Sequence, residues 1–127
     1  MTEAAQSWAE QSRYDLDTAR AMLASSRYLY VLFCCQQAVE KALKFVIVER
    51  TGVFPPRIHN LVRLVEEAGI EVNTDNKRFL GELSAYYIQS RYPEEIKVMS
   101  STIMLECAAE ILKKTEEMIQ WFFSMPE

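Results

Sequence analysis

The chain has 127 residues, half of them hydrophobic and a quarter charged, with three glycines and four prolines. So few turn-forming residues argue against an all-β fold, and 14 basic against 18 acidic residues disfavour broad electrostatic binding to nucleic acid, which runs on phosphate neutralisation by Lys and Arg. A small local basic site remains compatible with the net charge of −4, and the length fits one domain over residues 1–127.

The first predicted element is an amphipathic helix from about Ala4 to Ser25. Trp8, Ser12, Leu16, Ala19 and Leu23 recur at near-helical spacing while Glu10, Arg13, Asp17 and Arg20 lie off that stripe. The stretch SSRY breaks it. A second helix follows with a broad apolar face of Val31, Leu32, Cys35, Ala38, Val39, Ala42, Leu43, Val46 and Ile47; Gly52 stops it and Pro55 and Pro56 keep it from resuming. His59 and Asn60 open a short third helix, HNLVRLVEEAG, ending at Gly69. Thr74 or Asp75 can cap a fourth through Phe79, Leu80, Leu83, Tyr86 and Tyr87. Pro93 ends that helix near Arg91, because proline disfavours helical geometry in the residue before it. Ser100 or Ser101 can then cap a fifth helix carrying Met104, Cys107, Ala108, Ile111, Leu112, Ile119 and Phe122. Four long helices, one short helix and brief connections predict an all-α, up-and-down four-helix bundle.

The acidic N-terminal stretch has no apolar core, and the apolar run of residues 28–33 is short, so neither a targeting segment nor a membrane span is expected. Cys34, Cys35 and Cys107 offer neither a disulfide framework nor a metal spacing, which fits a reducing cytoplasm.

Few residues are suited to chemistry. His59 is the lone histidine; a side chain that titrates near neutrality suits acid–base work, but just ahead of a helix the structural, helix-start role is the preferred reading. A histidine-based metal site would need carboxylates or cysteines at spacings that are missing. Gln36 and Gln37, polar amides on an apolar helix, predict a buried hydrogen-bond network or a subunit contact. Glu40 and Lys44 are spaced for a helix-surface ion pair, and Glu10, Asp15 and Asp17 for a solvated face. At the proline corner, Arg91 and Tyr92 place a guanidinium that forks onto phosphates or carboxylates beside a phenol, with Glu94 and Glu95 close enough in sequence to serve as internal partners.

Four stretches, "WAEQSRYDLDTARAML", "FCCQQAVEKALKFVI", "IHNLVRL" and "YYIQSRYP", occur in this order across nearly the whole chain. With them the sequence resembles the HEPN domains, a superfamily of small all-α proteins of prokaryotes and higher eukaryotes. The resemblance implies a four-helix up-and-down bundle with a short extra helix, usually homodimeric and often encoded beside a minimal nucleotidyltransferase in toxin–antitoxin or related two-gene systems. Active relatives are metal-independent ribonucleases, in which an arginine that holds phosphate is followed, after about four to six intervening residues, by a histidine that moves protons, the two chains' motifs meeting across the dimer. Arg91 matches the arginine, but positions 96–98 hold Ile96, Lys97 and Val98, and His59 lies in a different segment. Lys97 can bind phosphate but, titrating near ~10.4, is a poor general base at neutral pH. In related systems the nucleotidyltransferase modifies a tyrosine of its partner; Tyr92 is the candidate here, the plainer reading being an aromatic lid on the bundle end.

The resemblance thus implies a binding module that handles nucleotide or RNA phosphate through Arg91, with neither cofactor nor metal. The alternative is a ribonuclease using Arg91 with Tyr92, Lys97 or His59. A helical bundle alike in fold alone is the third reading. Tyr86, Tyr87, Tyr92, Phe54, Trp121, Phe122 and Phe123 exceed what one small core needs, which points to a dimer face.

Overall fold

Helix α1, Glu3–Ala24, starts where the Thr2 hydroxyl accepts the Ala5 N–H at 3.1 Å. Its buried stripe is Ala5, Ala9, Ser12, Leu16 and Ala19, spaced three or four apart. Four of these five are small, so the backbone of the next helix can come close. The one hydroxyl among them is satisfied there: Ser12 Oγ donates to the Ala38 carbonyl at 2.7 Å. These features belong to a computed structural model that describes residues 2–89 and 105–125.

Helix α2, Tyr28–Thr51, has fifteen of its 24 residues buried and packs against every other helix described. A helix enclosed on most of its circumference must be largely apolar, and the buried side chains of α2 are, apart from one polar line taken up below. Gly52 ends it in the left-handed conformation, φ 67°, which costs a glycine nothing. The connection that follows exposes Val53 and Phe54, buries Pro55 and packs Ile58 on the core.

Helix α3, Leu61–Ala68, has only 8 residues, and its ends are tied down accordingly. Asn60 is its cap, accepting from Val62 N and Arg63 N, while Leu61 N donates to Ser84 Oγ at 2.7 Å. His59 thus precedes the helix instead of opening it. Beyond its last turn, Gly69 sits at φ 70° and Arg50 Nη1 donates to the carbonyls of Ala68 and Gly69 at 3.0 and 3.2 Å.

Helix α4, Thr74–Gln89, is capped one residue earlier than expected: Asn73, not Thr74 or Asp75, accepts from Asn76 N at 2.8 Å. Helix α5, Leu105–Ser124, buries Ala108, Leu112, Thr115, Met118, Ile119 and Phe122. Cys107, expected on that face, is exposed, since it falls one residue off the buried stripe. The expected caps Ser100 and Ser101 lie outside the described residues. The long helices α1, α2, α4 and α5 form an up-and-down bundle, with α3 bridging α2 to α4, and no strand occurs among the described residues. No helix among them is long and apolar enough to cross a membrane.

Candidate functional site

The polar line on α2 is Gln36, Glu40 and Lys44, each one turn after the last and therefore on one face. All three are buried. Glu40 is the centre: its Oε1 accepts Gln36 Nε2 at 3.2 Å and stands 2.9 Å from His59 Nδ1, and its Oε2 accepts Lys44 Nζ at 3.2 Å. Gln36 Nε2 also donates to the His59 carbonyl at 3.2 Å, and Gln37 Nε2 donates to Gln36 Oε1 at 2.6 Å. Above the lysine lies Trp8 of α1, its ring centroid 5.4 Å from Nζ.

The expected surface ion pair between Glu40 and Lys44 is therefore a buried one, with side chains 5% and 7% exposed. Sequence spacing identified the pair but not its depth, because α2 is covered on the face that an outer helix would turn to water. The reading of Gln36 and Gln37 as members of a buried network agrees with these bonds. Glu10 and Asp17 are exposed as expected, but Asp15 is half-buried and accepts Lys41 Nζ at 2.6 Å.

A carboxylate can only accept, so its contact with His59 puts a hydrogen on Nδ1 and fixes the ring's orientation. The imidazole itself is 47% exposed. The arrangement is chemically two-sided: it staples the connection before α3 onto α2, and it holds at the surface an imidazole backed by a buried carboxylate, the geometry of an oriented proton carrier. Arg91, Tyr92 and Lys97 lie outside the described residues, so His59 is the sequence-predicted site residue that the structure places. Glu40 as its partner was missed; the signal was the i, i+4, i+8 polar line itself.

Among the described residues, no group of three or more His, Cys, Asp or Glu side chains is placed to hold a metal ion. Burial pushes the Cys34 thiol up to about 11 and the Cys35 thiol up to about 12, which makes both poor nucleophiles at neutral pH. Of the surplus aromatics, Phe122 is buried and Phe123 meets Phe45 edge-on at 5.1 Å. Tyr86 is half-buried, Phe54 and Trp121 stay exposed, and Tyr14 and Tyr30 join them.

A family model described as the HEPN domain matches residues 5–125. The chain belongs to the HEPN domain family. This HEPN chain is also similar in structure to TT1696 from Thermus thermophilus, whose crystal structure aligns with a TM-score of 0.81 at 25% identity, over 96% of this chain and 98% of that one. No curated protein matches by sequence. The buried line of Gln36, Glu40 and Lys44 and the His59 staple fall within the matched range, so in this HEPN chain they are part of the domain itself.

Proposed function

We propose that this HEPN chain is a homodimeric module that pairs with a minimal nucleotidyltransferase in a two-gene, toxin–antitoxin-like system and binds nucleotide or RNA phosphate through Arg91. One observation carries the reading: within a HEPN match over residues 5–125, the arginine of "SRYP" is kept while no histidine stands at positions 96–98. The chain retains the anion-holding group and lacks the group that would move protons beside it. The net charge of −4 favours a local phosphate contact over tracking along a nucleic acid. Lys97 and Tyr92 flank the same corner in sequence and would add a second cation and a stacking or hydrogen-bonding ring. A single-domain protein of the cytoplasm fits this role.

The alternative is a metal-independent ribonuclease with a non-standard active site, and one feature favours it: the half-exposed His59 imidazole, oriented by Glu40, has the build of a general base. An RNA cleavage time course in chelator separates the two. The module predicts no cleavage by the wild type, mass measurements of a dimer, copurification with the nucleotidyltransferase when the two are coexpressed, and nucleotide binding that Arg91→Ala abolishes. Cleavage that is lost in both Arg91→Ala and His59→Ala would overturn it in favour of the enzyme.

A further inference from the structure

A cleft of about 450 Å³ lies between α1 and α5. That is within the usual range of small-molecule sites, roughly 300–1,000 Å³. Leu16, Ile119 and Phe123 make its apolar wall, and Arg13, Arg20 and Glu116 stand along it. Arg13 and Arg20 are seven residues apart on α1 and so share one helix face. Their chemical situations differ.

Arg20 is fully committed. Its Nη1 donates to Asp17 Oδ1 at 2.7 Å, and its Nε and Nη2 donate to Glu116 Oε2 at 3.1 and 2.6 Å. Two carboxylates neutralise it, and the Glu116 contact ties α1 to α5 across the cleft. Arg13 has no ion pair or hydrogen-bonded side-chain partner among the described residues. Instead its guanidinium carbon lies 4.9 Å from the centroid of the Phe123 ring. A ring contact is not a hydrogen bond, so the N–H donors of the guanidinium fork are not spent on it.

The ring contact also positions the cation. Phe123 itself makes an edge-on contact with Phe45, whose side chain belongs to the core. Arg13 is thus supported on a ring anchored to the bundle, and less side-chain freedom is lost when it grips a ligand. The remaining charges define what fits. Asp17 and Glu116 lie in the same cleft, so a polyphosphate or other polyanion would meet two carboxylates. A ligand with one negative charge at the Arg13 end and an apolar body along the wall would not.

We propose that the α1–α5 cleft binds a small organic acid, with one carboxylate on the guanidinium edge of Arg13 and an apolar body against Leu16, Ile119 and Phe123. Its lining includes none of Arg91, Tyr92 and Lys97 among the residues named for it.

The test is a titration of the full chain, labelled with ¹⁵N, with 4-phenylbutanoate and with its neutral counterpart 4-phenylbutan-1-ol, following the Arg13 Nε resonance and the backbone amides of Ile119 and Phe123. The acid is expected to give a saturable shift at these three positions, and the alcohol to bind at least tenfold more weakly. Arg13→Ala, a change at an exposed position whose amide spectrum reports whether the fold is intact, weakens the acid at least tenfold. Arg13→Lys restores only part of the loss, since an ammonium has the charge but not the planar fork. Equal binding of acid and alcohol, unchanged binding by Arg13→Ala, or no saturable shift would overturn the proposal. So would an Arg13 shift that follows protein concentration without any acid, which would assign the cleft to a second copy of the chain.

Discussion

At the scale of single residues, Glu40 is the position where the most depends on one side chain. Three groups converge on its carboxylate: a buried amide, a buried ammonium and the ring nitrogen of His59. Replacing a buried ion pair by apolar side chains of similar size is often neutral, whereas removing one partner leaves a charge stranded in a low-dielectric interior. Glu40→Ala is therefore expected to lose about 3 kcal/mol in urea unfolding. The double change Glu40→Leu with Lys44→Met should recover most of that loss. A single mutant less than about 1 kcal/mol below wild type would mean that Lys44 finds water or another partner. The same residue shows what sequence spacing conceals: i and i+4 identify an ion pair on any helix, but only the packing of the other helices around α2 decides that this one is dry.

At the scale of elements, α2 and α3 illustrate opposite sources of stability. The long helix needs no side-chain cap at its start, and none is formed, because burial along most of its length holds it. The short one is below the length at which an isolated helix persists in water, so its ends matter more. Asn60 satisfies two of its first N–H groups and Ser84 a third, while Gly69 and Arg50 serve the last carbonyls. Asn60→Ala is expected to cost about 1 kcal/mol, read as a lowered urea midpoint with unchanged slope. It should also loosen His59, which stands one residue before the cap, seen as faster amide exchange through residues 58–63. The cap and the stop of α3 were both legible in "HNLVRLVEEAG"; the Ser84 contact was not, since it joins residues 23 apart in the chain.

At the scale of the whole molecule, Cys35 reports on the integrity of the bundle. It is fully buried on α2, while Cys107 is exposed on α5. A thiol reagent at mildly alkaline pH should label Cys107 in the folded chain and reach Cys35 only when the helices separate. Burial raises the Cys35 thiol from the ordinary 9.0 to about 12, so the folded chain binds this proton more tightly than the unfolded chain does. The sign follows: this contribution to stability is whole below about pH 9 and is lost as pH rises toward 12. Cys35→Ala should accordingly show a shallower fall of unfolding free energy with pH above 9 than the wild type, and equal slopes would show that the thiol ionises as easily folded as unfolded.

The sequence by itself determined the helices, their order, most of their stops and the kinship to HEPN domains, because these rest on local periodicity, on glycine and proline, and on short stretches read in order. It also named Arg91, Tyr92, Lys97 and His59 as the residues with chemistry to offer, and Gln36 and Gln37 as members of a buried network or a subunit contact. Only the tertiary structure decided that α2 runs through the middle, that Glu40 is the partner of His59, and that Arg13 lies over Phe123 while Arg20 is bound by two carboxylates. The physical reason is the same in each case: hydrogen bonds and ring contacts between residues far apart in the chain depend on how helices are laid against one another, and one-dimensional spacing carries no record of which face meets which neighbour.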